Sequence, residues 1–470
     1  MDFTTETIAD YALALSTEDL SQEAIVAAKR LTLDSLGCCL GAYTSSPIKN
    51  LRALYGTIGH LSAGTRAEGP DEATAATVFG AGTNTLVEYA ALINATMVRY
   101  LDYNDAFVSE GRACHPSDHI PALISVAEAE GSTGQELVEA IVVAYEIEGA
   151  GLDTGAMWEH GYDYVTWGVF STVAAAGRLM RLDRDELLNA LGIAGASNLT
   201  LSVSRKGAVS MWKGIAHPYA SHNAIQACQM AREGMTGPVE VFEGPGGFFE
   251  VAAGRELTVK ALGGHNCAKF RILRSHIKSF PCGYYMQPMI TGLRDLVAEH
   301  NVKINTIEAI EIETFKQAAM ILGGDEKWST NLTRESADHS IPYTTALAVA
   351  YGDVTPEHYE RKYRTDPKLH RLMRLVSVEE SEEMNAAARK KPDSTPSIVR
   401  IRTRDRTIEC RVNCAPGHAE NPLSQEQLRA KFRSMADPLL TEAAISEVNA
   451  FCDELPEHSD VDRLLAALTI

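Results

Sequence analysis

The sequence predicts a mainly α-helical protein in which a large helical domain is followed by a smaller α+β domain. From the N-terminus to about residue 260, apolar side chains recur with helical periodicity in Ala-rich stretches separated by glycines. After about residue 265, some segments alternate apolar and polar residues, which is the pattern of a half-exposed strand. The chain has 470 residues, more than the usual single-domain size of roughly 100–200, so we expect two domains.

The helices of the first domain are predicted from periodicity and capping residues. An Ala/Val/Leu stripe runs through 21–37, whose last residue is a glycine, and we expect the helix to end there. A second helix is predicted at 134–146, with Thr133 as its N-cap and an acidic residue in its first turn. Two further helices are predicted at 171–180 and 185–195, joined by a short polar segment.

The second domain is predicted from a change of period. Residues 307–315 alternate apolar and acidic side chains, as a strand with one exposed face does. The segments 398–403 and 407–412 flank a polar turn and predict a β-hairpin. Helical segments are predicted at 341–351 and 369–375, which makes this domain α+β.

The C-terminal segment is predicted to be helical, to begin with a capping Ser424 and to return to the first domain. The predicted organisation is an all-helical domain at 1–265, an α+β domain at 266–415 and a C-terminal helical segment at 416–470.

The charge balance limits the partners. The chain has 62 acidic and 43 basic residues and a formal net charge of -19. Nucleic acid and anionic membranes are bound through a broad basic surface, so we expect neither as a partner. An anionic substrate needs a local cationic pocket that overrides this field. After Lys49 the next lysine is Lys206, and Arg205, Lys206 and Lys213 then cluster beside a tryptophan and glycines, which suits such a pocket.

The nine cysteines form no CxxC pair, which indicates reduced cytosolic thiols. Cys410, Cys414 and His418 have donor types that bind metals, but no second pair accompanies them, so we favour ordinary strand and loop residues and predict no metal. The N-terminus has neither the basic nor the apolar region of a secretory signal, and no apolar run approaches the ~20 residues of a membrane span. We therefore expect a cytoplasmic protein.

Familiar nucleotide and hydrolase motifs are missing from the sequence. The glycine-rich segment 244–247 lacks both the GxGxxG spacing and the Walker lysine, and there is no GxSxG or HExxH. We therefore predict no cofactor and expect dispersed side chains to carry the chemistry.

The first candidate site lies at 101–121. Asp102 and Asp105 precede His115, which stands before a proline at a predicted junction between a loop and a helix. Carboxylates near such a histidine raise its pKa toward neutrality, which suits a general acid or base. The alternative is that His115 caps the helix and the aspartates are solvated.

Two lysines pose a similar choice. Lys213 follows Met-Trp at the edge of an apolar segment. Three roles are open for it: binding a substrate carboxylate, acting as a desolvated base, or lying on the surface in solvent. The same alternatives apply to Lys278.

The segment 337–343 combines titratable and hydroxyl groups before an apolar helix. Asp338 or Ser340 is expected to cap that helix. If Tyr343 faces back toward a cleft, it donates a proton or a hydrogen bond to a carboxylate.

Taken together and in order, these segments resemble the MmgE/PrpD family, which includes 2-methylcitrate dehydratases, cis-aconitate decarboxylases and iminodisuccinate epimerases. The resemblance extends over nearly the whole chain. It rests on Asp102-x-Asn-Asp, His115-Pro-Ser-Asp, 205–213, 233–244, 278–281, 337–343 and 421–432.

The resemblance implies a large all-α domain with a smaller α+β lid, a site in the cleft between them, and usually a homodimer. It also implies activity without an iron–sulfur cluster, metal or nucleotide. Lys278 and Tyr343 of the lid are expected to approach His115 and Lys213 across the cleft. By similarity the catalytic positions are Asp102, His115, Lys213, Lys278 and Tyr343, and we expect substrate to be bound by Arg205, Lys206, Lys213, Lys278 and His339.

The chain departs from the family's patterns at three places. The dehydratase and decarboxylase branches often have the acidic run DxDDT, and this chain has Asp102-Tyr-Asn-Asp-Ala in its place. Tyr164 stands where a histidine is common, and Gly283 stands where aconitate decarboxylases carry a further histidine. These differences disfavour decarboxylation.

We therefore predict a cofactor-independent enzyme that abstracts a proton α to a carboxylate of a small di- or tricarboxylate, with lysines stabilising the developing charge. If hydroxide leaves after the proton is abstracted, the enzyme is a 2-methylcitrate dehydratase-like hydro-lyase, and this is the function that we favour. The alternatives are an iminodisuccinate epimerase-type isomerase, a cis-aconitate decarboxylase-type lyase, and a non-catalytic carboxylate-binding paralogue, the last suggested by Asn104, Ala106 and Tyr164.

Overall fold

The computed structural model describes residues 2–58, 75–155, 157–259, 261–264 and 269–470. The predicted boundary at 265/266 lies outside the described residues, and the three-part division stays a prediction. Within the described ranges no helix is both long and apolar enough to cross a membrane. The cytoplasmic location stays a prediction as well.

The first part of the chain is mainly helical, as predicted. Its helices are α1 (Phe3–Ala14), α2 (Gln22–Ala42), α3 (Ser46–Tyr55), α4 (Val87–Tyr100), α5 (Ile120–Glu130), α6 (Gly134–Asp153), α7 (Val165–Leu179), α8 (Arg184–Ser197) and α9 (Ala216–Arg232). The predicted helices at 134–146, 171–180 and 185–195 are thereby confirmed as α6, α7 and α8. Thr133 caps α6 through a capping box with Glu136.

The expected end of a helix at Gly37 is wrong, because α2 continues to Ala42. A Cβ at Gly37 would lie 3.0 Å from Met435 Cε and 3.2 Å from Phe432 Cδ2. This glycine therefore permits close packing of a C-terminal helix and does not terminate α2.

Two small antiparallel sheets interrupt the part that was predicted to be all-helical. One pairs β1 (Ala75–Val78) with β2 (Thr83–Leu86), and the other has the order β4 (Arg112–Cys114), β3 (Ala106–Ser109), β5 (Ser275–His276). Glu110 and Gly111 join β3 to β4 with φ of 51° and 70°, as in a type I′ hairpin turn. Strands of two to four residues are too short for periodicity to reveal.

The second part is built on a four-stranded sheet. Its strands are β6 (Ile307–Thr314), β7 (Val376–Glu380), β8 (Ser397–Thr403) and β9 (Thr407–Val412). The strand order is β7-β6-β8-β9, in which β6 pairs in parallel with β7 and antiparallel with β8, and β8 and β9 form an antiparallel hairpin. The strand predicted at 307–315 and the predicted hairpin are confirmed, as is the helix at 341–351. The helices are α10 (Gln287–Glu299), α11 (Lys316–Leu322), α12 (Arg334–Ala337), α13 (Ile341–Tyr351), α14 (Arg361–Arg364), α15 (Pro367–Met373) and α16 (Glu382–Lys390).

The buried apolar side chains form two clusters. One includes residues of the first nine helices together with α17 (Gln425–Ala436), α18 (Glu442–Asp453) and α19 (Asp462–Ala467), and α17 packs on α2. The other spans 280–408 and includes Ala106 and Val108 of β3. The strand β3 thus lies at the border between the clusters, where the candidate site is found.

Candidate active site

A cleft of about 420 Å³ is lined by side chains from both parts of the chain. The first part contributes Arg99, Gly111, Arg112, Ala113, His115, Trp158, Tyr164, Ser202, Arg205 and Lys206. The second part contributes Gly283, Tyr284, Tyr285, Lys316, Gln317, Met320, Ile321, Leu322 and His339. Four predicted site residues therefore share this cleft: His115, Arg205, Lys206 and His339.

His115 stands just before the short helical turn Pro116–His119 and has one fixed tautomer. Its Nδ1 lies 2.7 Å from the backbone carbonyl oxygen of Asp105. A carbonyl oxygen only accepts hydrogen bonds, so Nδ1 must carry the hydrogen. The other ring nitrogen, Nε2, is then unprotonated, and it has no hydrogen-bond partner among the described residues.

The pKa of His115 is held well below 6.5 by burial and by the cationic Arg99 and Lys278. The expectation of a raised pKa is therefore wrong, because desolvation and these cations outweigh the nearby carboxylates. The imidazole is neutral at pH 7, and its Nε2 is in the form that accepts a proton.

The support beneath His115 is a buried polar network. The carboxylate of Asp105 accepts hydrogen bonds from the Ser117 amide at 3.1 Å, the Ser117 hydroxyl at 2.6 Å and the Tyr145 hydroxyl at 2.9 Å. Burial raises the pKa of Asp105 to about 7. The aspartates are buried rather than solvated, and Asp105 positions the carbonyl group that orients His115.

Asp102 is the centre of a second network. Its Oδ1 lies 2.7 Å from both Arg99 Nη1 and Lys278 Nζ, and its Oδ2 lies 3.4 Å from Lys213 Nζ. Burial alone would raise the pKa of Asp102, but Lys213, Lys278 and Arg99 hold it well below 3.8. Its φ of 53° is unusual for a residue with a side chain, and such strain is common at functional sites.

The strand pairing explains how Lys278 reaches Asp102. Ala106 of β3 pairs with His276 of β5, which places the chain at 278 beside the chain at 102. Lys213 arrives separately, on the helical turn Met211–Gly214 before α9. The two lysines are fully buried around one carboxylate, so neither is a surface lysine, and neither lines the cleft in this structure.

His339 supplies a second imidazole to the cleft. Its Nδ1 lies 2.7 Å from Asp338 Oδ1 and 3.0 Å from Lys213 Nζ, and its side chain is 12% exposed. Burial and the Lys213 ammonium group lower the pKa of His339 to about 4. His339 therefore connects the buried Lys213 network to the cleft.

Arg205 and Lys206 both line the cleft, and their role in substrate binding stays a prediction. Arg205 Nε donates to Asp163 Oδ2 at 2.6 Å, and its guanidinium group lies 4.7 Å from the centre of the Tyr164 ring. Its buried Nη2 has no partner among the described residues. An anion that reached this nitrogen would supply the missing partner.

Tyr343 is not in the cleft, so the expectation for this residue is wrong. Its hydroxyl donates to the carbonyl oxygen of His358 at 2.6 Å, and its ring lies in the second apolar cluster. Ser340 caps α13 by accepting from the Tyr343 amide, which sets the first turn of the helix so that Tyr343 points into the core.

Sequence reasoning missed several residues of the cleft. Arg99 was detectable, because an arginine three residues before Asp102 on an apolar helix needs an acidic partner. Arg112 and Trp158 gave no such signal, since they come together only through the β3–β4 hairpin and a separate loop.

The suggested metal ligands Cys410, Cys414 and His418 do not converge. Cys414 Sγ accepts from Lys391 at 3.3 Å, and the His418 ring stacks on His276 with centroids 4.2 Å apart. Within the described ranges, groups of three possible ligands occur at Asp102–Asp338–His339, where Lys213 already lies, and at a buried group, His119–Glu148–His217.

Comparison with known proteins gives two family matches that together cover most of the chain. Residues 6–259 match the MmgE/PrpD N-terminal domain, and residues 280–454 match the MmgE/PrpD C-terminal domain. The 2-methylcitrate dehydratase of Escherichia coli K12 is 25% identical over 404 residues, 81% of this chain and 78% of that protein. The 2-methylcitrate dehydratase of Cupriavidus necator is 25% identical over 311 residues, and the alignment covers 62% of each chain, less than two thirds. A fungal alkylcitrate dehydratase is 24% identical over 367 residues, 72% of this chain and 70% of that protein.

Proposed function

The chain belongs to the MmgE/PrpD family, and from this premise we propose that it is a hydro-lyase that removes water from a 2-methylcitrate-like polycarboxylate. One observation carries the proposal. His115, in a cleft with unpaired cationic groups, is a neutral imidazole with Nδ1–H held by a carbonyl group and Nε2 free to accept a proton.

Substrate carboxylates bind to the cations that line the cleft. Arg205 offers its unpaired Nη2, and Lys206 lies exposed beside it. Arg112 and Lys316 lie on the lining, and neither forms a side-chain ion pair with a described residue. Such groups form a local positive site in a protein whose net charge is -19.

Elimination then follows from the two imidazoles. Nε2 of His115 removes the proton α to a substrate carboxylate, and the electron pair spreads onto that carboxylate. Arg99, Lys213 and Lys278 face the carboxylates of Asp102, Asp118 and Asp338, and Arg99, which lines the cleft, is the group of this network that stabilises the developing anion.

His339 serves as the acid. The bound anionic substrate raises the pKa of the His339 imidazole, which takes up a proton and donates it to the departing hydroxide. The C–H and C–O bonds break, a C=C bond forms and water leaves. Asp102 holds the cations in place and does not touch the substrate.

The substrate class follows from an apolar part of the lining. Trp158, Met320 and Ile321 lie on the same cleft as the cationic groups. An apolar surface beside carboxylate-binding groups favours a polycarboxylate with an alkyl substituent over citrate itself. The alkylcitrate dehydratase among the relatives agrees with this substrate class.

An epimerase is the second candidate, and it is favoured by the presence of imidazoles from both parts of the chain. If His115 removes the proton and His339 returns one to the other face, the centre is inverted without loss of hydroxide. Decarboxylation has less support. Gly283 lies on the cleft lining and supplies no imidazole there, although a Cβ at this position would have ordinary contacts of 3.5 Å.

The test uses purified protein with 2-methylcitrate, citrate, cis-aconitate and iminodisuccinate in deuterium oxide. Ultraviolet absorbance follows alkene formation, and NMR follows deuterium incorporation and carbon dioxide loss. We expect alkene formation from 2-methylcitrate. Isomer interconversion with deuterium uptake and no alkene would instead indicate an epimerase, and inactivity on all four would favour a carboxylate-binding paralogue.

We also propose a homodimer. The exposed apolar side chains of Leu201, Val203, Trp212 and Tyr219 lie around the Arg205–Lys206 segment of the cleft. Clustered exposed apolar groups mark interaction surfaces, and the position of this cluster would put a partner chain next to the substrate-binding cations.

A further inference from the structure

Three buried side chains outside the cleft converge on one point. His119 Nε2 lies 3.0 Å from Glu148 Oε2, and His217 Nε2 lies 3.9 Å from the same oxygen. The two imidazole rings have centroids 4.6 Å apart, and each of the three side chains is at most 1% exposed. They come from the turn Pro116–His119, from α6 and from α9, so only the tertiary structure brings them together.

The polar groups of this cluster are incompletely paired. His217 has no hydrogen-bond partner at either ring nitrogen among the described residues. The basic groups of the described chain within 4.0 Å of the Glu148 carboxylate are the two imidazoles, without a lysine or arginine. Because buried polar groups are nearly always satisfied, a completely buried imidazole without a partner points to a missing one.

The surrounding backbone leaves room for close approach of the three donors. Gly168 of α7 passes beside them, and a Cβ there would lie 2.7 Å from His217 Nε2 and 2.8 Å from Glu148 Oε2. One turn further along, Thr172 Oγ1 lies 2.8 Å from His119 Nδ1. Such a bond to the second ring nitrogen is how proteins usually orient a metal-binding histidine.

We propose that His119, Glu148 and His217 bind a divalent transition-metal ion, with Zn²⁺ as the first choice. Two imidazoles and one carboxylate are a common donor set for such ions. With metal–ligand bonds of about 2.1 Å, ligand atoms in a tetrahedral site stand about 3.4 Å apart. The observed separations of 3.0 and 3.9 Å reach that spacing with small side-chain shifts.

The ion braces the wall behind the cleft and does not touch the substrate. The His217 ring lies 6.0 Å from the Tyr164 ring, which in turn lies 5.8 Å from the His115 ring, centroid to centroid. All three ligands are buried, so the site fills during folding or through a local opening. The role is therefore structural and is independent of the reaction proposed for the cleft.

The test is metal content in tag-free, full-length protein. The protein is produced in zinc-supplemented medium, and a second sample is stripped with a chelator and reloaded with Co²⁺. We expect about one equivalent of zinc by mass spectrometry, visible d–d bands of low-symmetry Co²⁺, and a higher melting temperature for the loaded protein. Substoichiometric metal in both samples would mean that the cluster instead shares a proton, and the proposal would be overturned.

A matched pair of variants locates the ion. His217→Gln is expected to lose the bound metal. His222 lies on the same helix, α9, but outside the cluster, so His222→Gln is expected to keep the metal. Equal metal content in the two variants would refute the site. If His217→Gln does not fold, as judged by circular dichroism, the wild-type Co²⁺ spectrum decides, because bands of purely oxygen-bound Co²⁺ would exclude imidazole ligands.

Discussion

Replacing His115 with alanine tests whether it is the base that we propose. General-base catalysis typically contributes a factor of about 10²–10⁴ in rate, which corresponds to roughly 3–5 kcal/mol of activation free energy. Arg205 and Lys206 remain in place to bind the substrate carboxylates. We therefore expect kcat to fall by that factor, whereas KM changes little.

The pH profile tests the same assignment without a mutation. The pKa of His115 is depressed below 6.5 in the folded protein, so the neutral, active form persists as the pH falls through 6.5. The acid limb of kcat/KM, which reports the free enzyme, is therefore expected below pH 6.5. His339, with a pKa of about 4, is also neutral over that range.

The assay is the initial rate of alkene formation from 2-methylcitrate, measured from pH 5 to 9 with folding checked by circular dichroism. His222→Gln is the control for loss of a histidine elsewhere, and its kcat should match the wild-type value. A His115→Ala enzyme with near-normal kcat, or an acid limb above pH 6.5, would refute the reasoning and leave His339 as the candidate base.

Three further predictions concern the buried ion pairs, the apolar lining and the exposed patch. Lys278→Met, which leaves Asp102 with fewer cations, is expected to lower the free energy of unfolding in urea by about 3–5 kcal/mol. Lys327→Met is its control, because the ion pair of the buried Lys327 side chain within the described residues is a 3.8 Å contact with the half-exposed Glu326, and a loss below about 1 kcal/mol is expected; equal losses would contradict the pairing. Trp158→Ala is expected to reduce the preference in kcat/KM for 2-methylcitrate over citrate by about tenfold, and an unchanged ratio would remove Trp158 from substrate selection. Trp212→Glu places a charge in the exposed apolar patch and should convert the proposed dimer to a monomer, as judged by the molar mass from light scattering. A monomeric wild-type protein would refute the dimer.

Local elements were predictable because their causes are close together in the chain. The capping box of Thr133 with Glu136 spans three residues, and the strand at 307–315 shows its alternation directly. Gly37 was misinterpreted because its close contacts are with Met435 and Phe432, almost 400 positions away. The β3–β4 hairpin was missed because its strands are too short to show a period.

Motif order indicated which residues belong to the site, but not what surrounds each of them. Besides the bond from Arg99, three residues away, the side-chain hydrogen bonds to Asp102 come from Lys213 and Lys278, which are 111 and 176 residues away in the chain. The same motif order included Tyr343, whose hydroxyl donates to a backbone carbonyl oxygen and whose ring lies in the second apolar cluster.

The sequence alone determined the family, the mainly helical fold with its α+β part, and the charged and imidazole groups available for chemistry, since these depend on residue types and short-range spacing. The tertiary structure decided that His115 is neutral, that both lysines face one carboxylate, and that His119, Glu148 and His217 meet. The physical reason is that the desolvation of a group and its distance to other charges depend on which distant segments of the chain pack together.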